Sequence, residues 1–236
     1  MAAGAGLLMR RGDDVGGDAV LAVAGEGAAT TAAIAAWLLV RAGSEPGFAL
    51  SRRPADFDAS TSPARARLPV VRASLATDAP LRRAFVTDAY ERAVCPAVVV
   101  LASGAGEGAA ALVASVPVDG WVFAPAEDAR AVGLARGHAR ATLLGYALGD
   151  EAVDALAPHW LAAPAESDGR RQSFDLYAGG VYAGRAAVAL PDRAGLRSAL
   201  AAVAAVCHGF GVSVATAMHL LPRFPGLAPC ARSRRA

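Results

Sequence analysis

The chain has only three cysteines in 236 residues, Cys95, Cys207 and Cys230, and no two of them stand in a CxxC spacing. An odd count without that spacing excludes a disulfide framework or a cysteine-built zinc site as the organiser of the fold. A reducing cytoplasm is then the expected compartment. Histidine is scarce too: His138, His159, His208 and His219 show no metal-ligand spacing. Cys207 and His208 are neighbours in sequence, and adjacent helix positions do not face each other, so they make no catalytic pair; His208 is expected at a helix end, where it complements the dipole. No G-x-S-x-G stretch occurs. Basic residues form no run outside the tail 231–236, "ARSRRA", and the net charge is only +2. That excludes the electrostatic footprint of a nucleic-acid binder, and the tail is expected to be a solvated end. No apolar stretch of about 18 to 20 residues is free of glycine, proline and charge, so no membrane span is expected. The N-terminal "MAAGAGLLMRRGDD" has too short an apolar run for a secretory signal, and its arginines lie on the wrong side of it.

What the chain has in quantity is apolar residues, at 55%. They suffice for a sizeable core, although alanine buries little area per side chain. The pattern alternates between elements. "AVLAVAG", "PAVVVLAS" and "GWVFAP" read as buried strands, and "SEPGFAL", "RRAFVTD" and "ARATLLGYAL" as further strand candidates. "ATTAAIAAWLLVRAG", "EGAAALVASVP", "AEDARAVGLARG", "DRAGLRSALAAVAAVCHGFG" and "SVATAMHLLPRFPG" read as helices, the first with Thr30 or Thr31 near its start. "QSFDLYAGGVYAGRAAVAL" is a hairpin around "AGG". Residues 51–80 are rich in Ser, Pro, Arg and Asp and are expected to be a long or poorly ordered loop, and 147–171 are mixed and polar. Strands alternating with helices predict an α/β domain with a mostly parallel sheet and a late antiparallel hairpin.

One stretch raises a chemical question. In "LAVAGEGAATTAAIAAWLL" an apolar strand runs into Gly25, Glu26 and Gly27, then Ala28, Ala29, Thr30 and Thr31 open a helix. A phosphate loop of this shape works through backbone N–H groups and the positive end of a helix. It also needs a lysine for the β and γ phosphates and a Thr for magnesium. No lysine stands before these threonines. Taken alone, the stretch reads as a tight turn and a helix N-cap rather than a nucleotide site.

The order of the pieces resembles the central, ATP-binding domain of the Mur ligases, most of all the type that joins L-alanine to UDP-N-acetylmuramate. That family carries G-T-x-G-K-T-T after its first strand and a phrase like "AGLDPGF" after the helix; here stand "AGEGAATT" and "AGSEPGF". "TDAYERAVCPAVVVLAS" matches the family's E-A-D-E-Y-D-R-A, proline and strand. "SFDLYAGGVYAG", "LPDRAGLRSALAAVAAV" and "FPGLAPCARSRR" echo its closing hairpin, P-G-x-H-N helix and F-x-G-x-x-R-R. The match runs from about Val20 to about Arg235. It implies a single domain over 1–236 with a P-loop-type fold, without the family's UDP-binding and amino-acid-binding domains.

The resemblance also implies that the chemistry is gone. The loop glycine has become Ala28, the lysine Ala29, and Glu26 brings a negative charge to the phosphate position. At about 4 Å and an effective dielectric near 20, that charge opposes each unit of phosphate charge by roughly 4 kcal/mol. The family's metal-binding glutamate falls at Ala89 and its metal-linked histidine at Gly108. The histidine and asparagine of P-G-x-H-N fall at Ala194 and Gly195. Asp88, Glu91 and Glu107 are read as solvated charges. The expectation is a pseudoenzyme that keeps Gly25 to Thr31 as the remnant of a nucleotide loop. It would hold no catalytic residue, metal or cofactor, and would act through a protein partner, a second copy or an active Mur ligase. The alternatives are an ATP- and magnesium-dependent carboxylate–amine ligase with a substitute cation such as Arg10, Arg11 or Arg193, and a nucleotide sensor without turnover.

Overall fold

The computed structural model describes residues 20–62, 69–72, 96–106, 108–149, 151 and 155–229. The buried apolar runs form the middle of a sheet: β1 (Val20–Ala24), β5 (Pro96–Leu101), β6 (Trp121–Pro125) and β7 (Thr142–Leu148). To one side lie β4 (Pro69–Arg72), β2 (Gly47–Ala49) and β3 (Thr61–Ser62). To the other lie β8 (Pro158–Ser167), β9 (Gln172–Ala178) and β10 (Val181–Val188). The order is β10-β9-β8-β7-β6-β5-β1-β4-β2-β3. From β2 to β8 the neighbours are parallel; β2–β3, β8–β9 and β9–β10 are antiparallel.

The helices are α1 (Ala28–Arg41), α2 (Ala109–Ser115), α3 (Ala129–His138), α4 (Arg193–Phe210) and α5 (Val214–Leu220), the last running into a 3-10 turn at Leu221–Arg223. Successive strand residues point to opposite faces. Leu21, Val23, Val98, Val100 and Phe123 therefore join the core with α1, α4 and α5, while Ala22, Val99, Leu101, Val122 and Ala124 join the core with α2 and α3. Burial on both faces is why these strands read as unbroken apolar runs. In β9 the pattern is alternating instead, with Phe174 and Leu176 buried under the first core.

The sequence expectations for the α/β class, the parallel sheet and the late hairpin hold. Two stretches hold strands that the sequence did not announce. The segment 51–80 is not loop throughout: Pro69–Arg72 is β4, a sheet-interior strand between β1 and β2. Four residues give too short a signal on their own; neighbours on both sides stabilise the strand. Within 51–62, Asp56 accepts a hydrogen bond from Trp37 Nε1 at 3.1 Å, and the Phe57 ring lies 5.1 Å from that of Phe48. The polar stretch 147–171 holds β8. Its prolines hid it, yet Pro158 is the first residue of the strand and Pro164 adjoins a register shift, the two places where a strand tolerates proline. Helix α1 begins at Ala28 with Gly27 as N-cap at φ 80°, which puts Thr30 and Thr31 near its start as expected. "RRAFVTD" and residues 1–19 lie outside the described residues.

Helix α4 crosses the sheet closely. A Cβ on Gly209 would stand 2.1 Å from Val98 Cγ2, so only glycine fits there without a shift. Just before it, His208 sits among rings, 4.6 Å from Trp121, 5.7 Å from Phe123, 5.4 Å from His159 and 5.6 Å from Trp160 between centroids. Burial, helped by the charge of His159, pushes its pKa down to about 4 from 6.5, and burial lowers that of His159. A neutral ring in an apolar cluster is thus its role, not a charge set against the helix dipole. Burial pushes the Cys207 thiol up to about 12, which removes thiolate chemistry.

Two outcomes follow for stability. Gly209→Ala is expected to cost about 1–3 kcal/mol by overpacking. Gly133→Ala, in the middle of α3 with open space around it, is expected to add about 0.5–1 kcal/mol. Urea unfolding of both variants checks the pair, and equal effects would contradict the packing described. For His208 the folded pKa lies below the unfolded one, so the unfolded state takes the proton first as pH falls. Stability is full above about pH 6.5 and declines toward about pH 4, by on the order of 2 kcal/mol. His208→Phe is expected to lose that part of the decline, read as the wild-type-minus-variant difference in Tm from pH 7 to pH 4; parallel curves would contradict it.

Candidate functional site

Parallel α/β sheets bind ligands outside the carboxyl ends of their strands, where the chain switches from one face to the other. Here α1, which follows β1, lies on one face, and α2, which follows β5, lies on the other. β1 and β5 are neighbours, so the switch point is between them. The loop Gly25–Gly27 leaves β1 at that point. It faces Ala102 and Ser103 at the exit of β5, and the two exits bound a cavity of about 80 Å³. Its lining is Glu26, Gly27, Thr31, Ala102, Ser103, Tyr146, Ala194, Arg197 and Ser198.

The loop is glycine-dependent for steric reasons. Gly25 has φ 109°, and a Cβ there would lie 2.6 Å from the Ala102 carbonyl oxygen. At Gly27 a Cβ would meet Ser198 Oγ at 2.9 Å, because the first turns of α4 lie against the loop. Two backbone bonds sew the exits together: Ala102 N–H donates to Ala24 O at 2.7 Å, and Glu26 N–H donates to Ser103 O at 2.8 Å. The second matters chemically. A phosphate-binding loop turns its N–H groups toward the ligand, and this one is spent on the neighbouring strand exit. The Glu26 side chain is exposed and leans over Gly104, whose Cβ, if present, would be 3.5 Å from Glu26 Oε1.

The far wall carries the charge. Arg197 Nε lies 3.0 Å from Glu127 Oε1, out of line for a hydrogen bond, and its Nη2 bonds to Glu151 Oε1. Glu151 Oε2 accepts from Leu148 N–H at 3.1 Å, and Arg193 Nη2 is 3.5 Å from Glu151 Oε1. Asp128 caps α3 through Oδ1, accepting from the Arg130 and Ala131 N–H groups at 3.0 Å each, while its Oδ2 accepts from Gly104 N–H at 3.3 Å. Tyr146 is buried and donates its hydroxyl to Leu101 O at 2.7 Å. Burial holds the Glu127 carboxyl above the usual range, and burial with the nearby carboxylates raises Tyr146 well above its ordinary value. Tyr146 is therefore a structural hydroxyl and not an acid or base near neutral pH.

Of the residues singled out from sequence, Glu26, Gly27 and Thr31 line the cavity. Gly25 shapes the turn, Ala28 is buried, and Ala29 and Thr30 are half-buried on the first turn of α1. Gly108 is the N-cap of α2. Ala89, Asp88, Glu91, Glu107, Arg10 and Arg11 lie outside the described residues. Arg193 reaches Glu151, but it is Arg197, one helical turn further along α4, that lines the cavity. Sequence reasoning missed Arg197, Glu127 and Glu151, which come from an α4 turn and two strand exits. Two signals were legible. Arg193 and Arg197 share a helix face at i, i+4 spacing. And the chain contains no lysine: all 23 basic residues are arginine, so a substitute cation can only be an arginine. Among the described residues no group of His, Cys, Asp and Glu is placed to hold a metal ion, and no helix is long and apolar enough to cross a membrane.

No family model and no curated protein matches the sequence. Solved structures do. The UDP-N-acetylmuramate:L-alanyl-γ-D-glutamyl-meso-diaminopimelate ligase of Neisseria meningitidis aligns over 92% of this chain and 70% of its own, at 22% identity and a TM-score of 0.67. A murein peptide ligase of Psychrobacter arcticus aligns over 89% of this chain and 48% of its own, at 18% identity and a TM-score of 0.67. A Mur ligase of Thermotoga maritima, solved in complex with ADP, aligns over 86% of this chain and 48% of its own, at 10% identity and a TM-score of 0.59. The chain spans about half the length of the last two. Across nearly all its own length, it has the α/β fold of the Mur ligases.

Proposed function

We propose that this chain is a non-catalytic protein of Mur ligase fold. It would serve in the cytoplasm as a binding, scaffolding or regulatory partner in the synthesis of cell-wall peptidoglycan precursors. The observation that carries the first half is the cleft at the β1–β5 switch point. Its volume is about 80 Å³, whereas sites for nucleotide-sized ligands run to roughly 300–1,000 Å³. The position of the loop lysine is Ala29 and no other lysine exists in the chain. The Glu26 carboxylate stands at the mouth, and among the described residues the one arginine of the lining is already paired with Glu127 and Glu151. Each of these opposes a bound triphosphate and the charge stabilisation that acyl-phosphate formation needs.

The second half rests on the company the fold keeps: the three aligned proteins are all ligases of muramyl or murein compounds or named as Mur ligases. A partner of that pathway, or a second copy of this chain, is the class of occupant proposed for its free surfaces. A nucleotide sensor is the second reading, and Arg197 favours it, since an arginine does stand in the cleft.

Calorimetry and thermal shift with Mg-ATP separate the two. The account expects no heat and no stabilisation for wild type at about millimolar ATP; micromolar binding would move the protein to the sensor or ligase reading. Glu26→Thr/Ala28→Gly/Ala29→Lys is expected to gain measurable binding by returning the lysine and removing the carboxylate, by roughly tenfold or more. Light scattering at high concentration addresses self-association: a dimer supports the second-copy version, and a monodisperse monomer sinks it.

A further inference from the structure

We infer that Arg197 is an internal plug, locked by Glu127 and Glu151, that keeps anions out of the cleft. The inference rests on the reading of a non-catalytic cleft and adds how anions would be kept from it. Four observations carry it. Arg197 lines the same small cavity as Gly27 and Thr31, at the start of the helix that a phosphate would approach. It is held from two separate strand exits, by Glu127 after β6 and Glu151 after β7. These side chains are mostly sheltered, at 25%, 18% and 14% exposure for Arg197, Glu127 and Glu151. Finally, Arg193 approaches Glu151 as well, at 3.5 Å, so α4 presents two cations to one carboxylate.

The physical consequence is a competition. A guanidinium recognises phosphate and carboxylate by the same fork of N–H donors. Two carboxylates that belong to the chain are present at a fixed short distance, and an external anion must displace them. With Arg193 the wall balances two cations against two carboxylates, so an arriving anion finds no cation in excess to draw it in. Replacing both carboxylates with amides keeps size and hydrogen-bonding capacity while removing their charge. The arginine then has a strong reason to pair with an anion brought from solution.

The test uses inorganic pyrophosphate as probe, on the full chain. Wild type, Glu127→Gln/Glu151→Gln and the same double variant with Arg197→Gln are titrated by calorimetry at low salt, with circular dichroism to show that each is folded. Wild type is expected to show no saturable binding at about 10 mM. The double variant is expected to bind about tenfold to a hundredfold tighter than wild type, and the triple variant to lose that gain. A folded double variant that binds no better than wild type overturns the plug while leaving the non-catalytic reading in place. If wild type itself binds and Arg197→Gln abolishes it, Arg197 is a working ligand, and both plug and non-catalytic reading fall. If the double variant does not fold, Glu127→Gln alone carries the test, with a gain of several-fold supporting the plug and no gain overturning it.

Discussion

The hydrogen bond from Glu26 N–H to Ser103 O, 2.8 Å long, ties the exits of two neighbouring parallel strands at the point where the sheet switches faces. Much of the site depends on it. It requires the turn at Gly25, where a side chain would collide with the Ala102 carbonyl. It fixes where α1 starts and so where its positive end points. It also uses an N–H group that an open loop of this kind would offer to a ligand. Main-chain bonds join the two strand exits, and Ser198 and Arg197 of helix α4 line the cavity beside them.

Charge completes what geometry begins. Around the cleft stand Glu26, Glu127, Asp128 and Glu151 against Arg193 and Arg197. Two of the carboxylates also hold main-chain groups in place. Asp128 caps α3 and holds Gly104, and Glu151 holds the Leu148 N–H as well as Arg197. Such ion clusters are weak evidence for stability, because desolvation offsets much of their attraction. Removing one partner is a different matter, since the remaining charge is left sheltered and unpaired. The cluster therefore resists piecemeal change, which suits a structural lock better than a ligand site that must open and close.

Much of the fold was legible because its central strands are buried on both faces. "PAVVVL" and "WVFAP" had no polar residue to blur them, and the α4 helix announced itself by length and by Gly211 at its end. β4 and β8 were not legible. The first is four residues long and depends on its neighbours; the second carries prolines that a strand accepts only at its start or at an irregularity. The candidate site was half legible. A contiguous loop, Gly25 to Thr31, can be read along the chain. Glu127, Glu151 and Arg197 are brought together only by the parallel order β6-β7 and by α4 lying across them, and no spacing in the sequence encodes that meeting.

The central claim is that this cleft excludes nucleotide. Phosphorus NMR of Mg-ATP with rising amounts of the full chain tests it most directly, because it senses the phosphates themselves. The account predicts that the α, β and γ lines keep their positions and widths. Selective broadening or shift of the β and γ lines, lost on Arg197→Gln, would show the phosphates in the cleft and contradict it.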